Sequence, residues 1–181
     1  MKIYMFLADG FEETEAIAPL DLVLRAGADI KTVSVSGNET VCGAHNIVVK
    51  ADLLLESADL SDCDGLILPG GGLGTENLFA SERVKAEVQK AYDAGKLICA
   101  ICAAPTVLGR MGLLKDKTAI CYPSMEDMLF CKTLSDTPVA RDGNIITACG
   151  MGVSYDFGLE IVDYLYGTEK ASALKKTTCG K

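Results

Sequence analysis

Short apolar runs and amphipathic stretches take turns along this chain. Ile3 to Leu7, Ile30 to Val35, Gly65 to Leu68 and Lys96 to Ile101 are compact, largely apolar runs bounded by turn residues. Runs of that length, rich in branched side chains, predict strands. Glu12 to Arg25 has helical spacing instead, with Ala16, Ile17, Leu20, Val23 and Leu24 as its predicted buried stripe and Gly27 closing it. Pro19 removes the hydrogen bond to the Glu15 carbonyl, which predicts a kink. Ser81 to Ala94 predicts a second helix ending at Gly95, and Ser154 to Tyr166 an amphipathic one closed by Gly167. Asn46 to Lys50 and Thr118 to Cys121 read as short strands. Val139 to Arg141 and Asn144 to Ala148 read as a hairpin across Asp142-Gly143. Lys175 to Lys181 reads as a polar tail with Cys179 exposed. Strands alternating with helices predict an α/β fold, a mostly parallel sheet with helices on both faces. No linker or repeat interrupts the pattern, so residues 1–181 are expected to form a single domain.

Composition narrows the function classes. The apolar half of the residues can build a real core and speaks against disorder. A net charge of −8 argues against nucleic acid or an anionic membrane as partner and suits a protein handling small molecules. The N-terminal apolar run stops at Asp9, too short for a signal peptide. The expected location is therefore the cytoplasm, and the eight cysteines are expected to be reduced. Cys99 and Cys102 form a C-x-x-C, but strand alternation predicts that Cys99 faces away from Cys102, against a thioredoxin-like pair. A lone histidine, His45, and the absence of a second C-x-x-C argue against zinc. No metal or cofactor is expected. Cys42, Cys63, Cys121, Cys131 and Cys149 are scattered and read mostly as packing residues.

Cys102 stands apart from them. An apolar strand precedes it, and Ala103-Ala104-Pro105-Thr106-Val107-Leu108 reads as the start of a helix. A nucleophile at such a corner is a nucleophile elbow, which needs small residues two before and two after, here Ala100 and Ala104. Pro105 suits a first helical turn, where an N–H is dispensable. Unpaired amides and the positive end of the helix dipole are expected to favour the thiolate. In a parallel sheet, sites form beyond the carboxyl ends of the strands. Two other turns belong there: Asp9 to Glu15 and Gly70-Gly71-Gly72. Asp9-x-x-Glu12 resembles a capping box, which accounts for Glu12 and Glu13. Glu15 borders the apolar stripe, so its carboxyl is expected to be partly buried, raised in pKa and able to donate a proton to a neighbouring thiolate. Gly70 and Gly71, with the N–H of Ala103, are candidates for an oxyanion hole. The glycines lack the spacing of a dinucleotide fingerprint.

Gly10-Phe11-Glu12-Glu13-Thr14-Glu15, Leu68-Pro69-Gly70-Gly71-Gly72 and Ala100-Ile101-Cys102-Ala103-Ala104-Pro105 resemble, in order and spacing, the motifs of the ThiJ/PfpI superfamily. The nearest branch looks like the Parkinsonism-associated protein deglycases. The resemblance implies a flavodoxin-like three-layer sandwich, a homodimer, Cys102 as the reactive cysteine and Glu15 as the protonated acid touching it. It departs at two places. Tyr122, before Pro123, stands where that family often has histidine, and Ala104 stands where glycine is usual. His45 falls in a region that lies near the dimer interface in that branch, so Tyr122 and His45 are the candidates for the remaining pocket positions.

Three functions follow, in this order. The first is a cysteine-dependent enzyme on small reactive carbonyls, glyoxalase-like or deglycase, with a Cys102 thiolate and a Glu15 proton shuttle. The second is a non-enzymatic oxidative-stress sensor that acts through oxidation of Cys102. The third is a cysteine peptidase or amidase, which the missing histidine disfavours.

Overall fold

The computed structural model describes residues 1–180. In chain order the strands and helices are β1 (Lys2–Leu7), α1 (Glu13–Ala26), β2 (Asp29–Ser34), β3 (Thr40–Cys42), β4 (Val48–Lys50), β5 (Leu53–Leu54), β6 (Gly65–Leu68), α2 (Gly72–Ala80), α3 (Glu82–Asp93), β7 (Leu97–Ile101), α4 (Pro105–Arg110), β8 (Thr118–Ala119), β9 (Thr133–Leu134), β10 (Val139–Asp142), β11 (Ile145–Ala148), α5 (Ser154–Tyr166) and α6 (Thr168–Thr177). The central sheet has seven strands in the order β10-β11-β7-β6-β1-β2-β5. Its pairings are parallel except β10 with β11, the predicted hairpin. β3–β4 and β8–β9 form separate two-stranded ribbons.

Alternation along the inner strands divides the core into two layers. Ile3, Met5, Leu7, Ile67, Cys99 and Ile101 pack with α1, α5 and α6 on one face. Tyr4, Phe6, Leu66, Leu68, Ile98 and Ala100 pack with α2, α3 and α4 on the other. This is the three-layer sandwich expected from the sequence. The chain leaves β1 toward β2 on one side and later returns to β6 on the other, so strand order reverses at β1. Such a switch point opens a crevice at the carboxyl edge, beside the ends of β1, β6 and β7.

Some sequence expectations are corrected. Gly72 to Ala80, where only the turn at Gly72 is expected from the sequence, forms a helix. Thr168–Thr177, read in part as a polar tail, is helical; only Ala171 and Leu174 are buried along it, too few to show a stripe. Cys179 beyond it is exposed, as expected. Pro19, inside α1, lies on its buried face. That face is Glu15, Ala16, Pro19, Leu22, Val23 and Ala26, whereas Ile17 and Leu24 are exposed. The stripe is thus rotated toward α5, which covers Pro19 and Leu22 through Gly158. Its N-cap is Glu12, whose carboxylate accepts the Glu15 N–H at 2.7 Å. Asp9 instead accepts the Cys42 N–H at 2.9 Å and so ties the β3 ribbon to the β1 turn.

Candidate active site

β7 ends at Ile101, and Cys102 turns the corner with φ +63°. A side chain other than glycine is strained there, and such strain persists only where surrounding contacts over-determine it. Here the main chain does so. The Cys102 N–H donates to Ala148 O and its carbonyl accepts the Tyr122 N–H, both at 2.8 Å. Ala104 N–H donates back to Ile101 O at 3.0 Å, and the buried Thr106 hydroxyl donates to Ala103 O at 2.7 Å. Ala100 and Ala104 are fully buried, leaving room for the tight reversal. The regular helix begins at Pro105, slightly later than the sequence suggests. The positive φ also overturns the expected separation of Cys99 and Cys102. Alternation fails at the corner, and Cys102 packs against the same core layer that holds Cys99. Both are free thiols.

Glu15 reaches the corner from the first turns of α1 and has no solvent exposure. Neither of its carboxyl oxygens has a formed hydrogen bond. Gly70 lies between the two side chains. A Cβ there would collide with the Glu15 carboxyl, come within 2.6 Å of Cys102 Cβ and within 2.8 Å of Ile101 O. Gly71 has φ +90° and a Cβ on it would meet the backbone of Gly10, Phe11 and Glu12. The glycines therefore serve close approach of the β1 and β6 turns, which Glu12 N–H to Gly70 O at 3.0 Å also ties together. Gly70→Ala is expected to lose about 1–3 kcal/mol of stability by overpacking. Thermal melting checks this, and an unchanged melting temperature would mean that the corner is looser than its contacts indicate.

Burial pushes the Glu15 carboxyl up to about 7, against the opposing pull of the Cys102 thiol; the Glu12 charge adds to the rise, and the Gly70 amide opposes it. Burial, then the neighbouring Glu15 carboxylate, push the Cys102 thiol up to about 12; the amides of Gly71 and Ala103 pull it down. The sequence expectation of a raised Glu15 agrees with this. The expectation of a freely formed thiolate does not, because desolvation and a carboxylate neighbour outweigh two amides. The two groups titrate as a coupled pair, with the first proton leaving near pH 7. Such a pair can pass a proton from sulfur to carboxylate as sulfur attacks an electrophile.

Gly71 and Ala103 thus direct their amides at the sulfur, whereas the Gly70 amide acts on Glu15. Tyr122 sits at the rim, half exposed, with its ring 3.5 Å from where a Gly150 Cβ would stand. Gly150, which sequence reasoning missed, also borders Glu15, with Oε1 4.0 Å from the same point. Its signal was its position just past the carboxyl end of β11, beside β7. His45 is not brought to Cys102. Its Nδ1 pairs with Glu13 Oε2 and its N–H donates to Glu13 Oε1, each at 2.7 Å. Burial would raise the Glu13 carboxyl, but these hydrogen bonds outweigh it and hold it at about 2. Glu12, Glu13 and His45 offer ligand-type atoms within 4.8 Å of one another. Those atoms are already engaged in capping α1 and in the Glu13–His45 pair. A half-open pocket of about 300 Å³, lined by Asp59, Cys63, Arg83 and Lys96 among others, lies at the opposite, amino edge of the sheet. Arg83 and Lys90 there are both paired with Glu87.

Comparison with known proteins gives the chain clear relatives. A family model described as the DJ-1/PfpI family matches residues 1–164. The Parkinson disease protein 7 homolog of Danio rerio is 38% identical over 96% of this chain and 94% of its own length. A deglycase of Thermococcus kodakarensis is 29% identical over 91% of this chain and 99% of its own length. A longer relative, protein DJ-1 homolog B of Arabidopsis thaliana, is 36% identical, and the chain spans 41% of it. Among solved structures, oxidized Toxoplasma gondii DJ-1 superposes with a TM-score of 0.95 at 31% identity, covering 99% of this chain and 98% of that one.

Proposed function

The chain belongs to the DJ-1/PfpI family, and from that premise we propose that it is a cofactor-independent enzyme acting on small reactive carbonyls, glyoxalase-like or deglycase in type. The observation that carries this reading is the fully buried Glu15 carboxyl, raised to about 7, that meets Cys102 across Gly70. Above about pH 7 the Glu15 carboxyl is charged. As Cys102 sulfur adds to an aldehyde carbon, an S–C bond forms and the thiol proton passes to Glu15. The carbonyl π pair becomes an alkoxide within reach of the Gly71 and Ala103 amides. Glu15 then returns the proton to that oxygen, and a hemithioacetal results. No leaving amine needs a proton, so the absence of a histidine beside Cys102 is no obstacle. A peptidase would need one.

The name of the Thermococcus relative supports a deglycase-type role. The net charge of −8 supports a small molecule over nucleic acid or an anionic membrane as partner, and no helix among the described residues is long and apolar enough to cross a membrane. Exposed Ile17, Ile47 and Val48, close to the Glu13–His45 contact, suit a second copy of the chain as partner. We place the protein in the cytoplasm, where its thiols stay reduced.

Consumption of methylglyoxal by purified protein tests the reading. Peptide hydrolysis abolished by Cys102→Ser would move the assignment to a peptidase. No turnover of either substrate, with ready peroxide oxidation of Cys102, would move it to a redox sensor. Tyr122→Phe removes only a rim hydroxyl and is expected to leave methylglyoxal turnover within about tenfold of the parent. A larger loss in a steady-state assay would give that hydroxyl a part in the chemistry.

A further inference from the structure

Three large apolar side chains stand exposed on the turns around the Cys102 crevice. Leu73 follows the glycines after β6 and is 63% exposed; Tyr122 is 52% exposed; Met151 follows Gly150 after β11 and is 54% exposed. Single exposed apolar residues are ordinary, but three that border one crevice from separate segments suit an apolar ligand group. The Thr147 hydroxyl oxygen accepts the Ile120 N–H at 3.0 Å, and Tyr122 N–H donates to Cys102 O at 2.8 Å, so the tyrosine main chain is fixed beside the nucleophile. One edge of its ring, Cδ2 and Cε2, lies 3.5 and 3.9 Å from where a Gly150 Cβ would stand, and Glu15 Oε1 lies 4.0 Å from the same point. The ring thus borders the Glu15–Cys102 pocket while half of the residue stays uncovered. Leu73 rests on Gly10, its Cβ 2.7 Å from where a Cβ there would stand. Gly72 supplies space. It is exposed, its φ lies outside the left-handed region, and a Cβ on it would meet nothing within 4 Å. Neither backbone nor crowding asks for glycine there, one residue beyond Gly71, whose amide acts on the sulfur. At the base of the crevice the Glu15 carboxyl, with Glu12 near it, supplies negative charge.

We propose that this mouth selects uncharged α-oxoaldehydes bearing an aromatic substituent, with Tyr122 as the residue that sets the preference. The proposal rests on the carbonyl reading for its chemistry and adds the substrate class. The substituent packs against the uncovered part of the Tyr122 ring, in the space that Gly72 leaves, with Leu73 and Met151 bounding it. The aldehyde carbon then meets the Cys102 sulfur, and the bonds made and broken are those of hemithioacetal formation. A carboxylate in place of the aromatic ring would face the Glu15 charge and be repelled.

The test reads the mouth first without turnover. The full chain is alkylated with iodoacetamide, N-benzyliodoacetamide or iodoacetate, and the rate at Cys102 is followed by peptide mass mapping. Each rate is divided by that of glutathione with the same reagent, which removes intrinsic reactivity. The benzyl reagent is expected to exceed iodoacetamide about fivefold, and iodoacetate to fall about fivefold below it. Tyr122→Phe should keep the benzyl preference, Tyr122→Ala should bring it close to one, and Gly72→Leu should lower it by filling the space. The ratio of kcat/KM for phenylglyoxal to that for methylglyoxal should likewise fall about fivefold in Tyr122→Ala and hold in Tyr122→Phe. A benzyl preference absent from the parent, or unchanged in Tyr122→Ala, would overturn the proposal. So would iodoacetate reacting faster than iodoacetamide. Selective labelling without turnover of either aldehyde would support the mouth and overturn the enzyme reading; turnover of methylglyoxal without selective labelling would do the reverse.

Discussion

Replacing Cys102 by serine is expected to lower methylglyoxal turnover by at least about a thousandfold. The substitution keeps the size of the side chain and the backbone bonds that hold the corner, so the loss reads chemistry. A carboxylate of pKa about 7 can accept a proton from a thiol as its sulfur attacks. It is a far poorer match for a hydroxyl, whose proton is much harder to remove. Rates of methylglyoxal loss for parent and variant, with circular dichroism to show that both are folded, give the answer. A folded variant retaining a tenth or more of the parent rate would place the chemistry outside Cys102.

The second large effect concerns Glu15 and has opposite signs in stability and rate. Its carboxyl sits at about 7 in the fold against an ordinary value of 4.5, because burial penalises the charged form. Between those values the folded state holds a proton that the unfolded chain has released, so stability falls as pH rises. Below 4.5 both states are protonated and the penalty vanishes. By pH 8 it amounts to roughly 3 kcal/mol. Glu15→Gln keeps the shape without the charge. The variant is expected to exceed the parent by about that amount at pH 8 and to match it at pH 4, as measured by urea unfolding. It cannot accept the Cys102 proton, so turnover should fall about a hundredfold. Parent activity should rise as pH passes through 7. Equal stabilities at pH 8 would mean that the carboxylate is compensated by contacts the fold does not display.

Much of this was legible in the residues. Glycines at the ends of short apolar runs, and a cysteine between a strand and a proline-led turn, place the β1, β6 and β7 turns at one sheet edge. Glu15 could be read from its position beside an apolar stripe. The stripe itself was misjudged, because periodicity cannot tell which apolar face α5 will cover and which stays exposed, as Ile17 and Leu24 do. The thiol's electrostatics were read from its own turn alone. Burial by the surrounding layers and the charge of Glu15, brought from far along the chain, reverse the sign. Gly150 and the Thr147–Ile120 bond arise from the lateral order of strands, which local pattern does not encode.

The tethering of Cys102 has a consequence for how this scaffold can change. The corner is fixed by main-chain groups on both sides, from Ala148 and Tyr122, which keep those bonds with any residue but proline at position 122. Tyr122 can therefore be exchanged for another residue without moving the sulfur. Segments around the mouth, such as the one carrying Leu73 and the one carrying Met151, project exposed side chains that are free to drift. The reactive atom is thus insulated from alterations in its surroundings. A lineage built on this corner can trade one substrate for another by rim substitutions alone, while Gly70, Glu15 and the strained cysteine stay as they are.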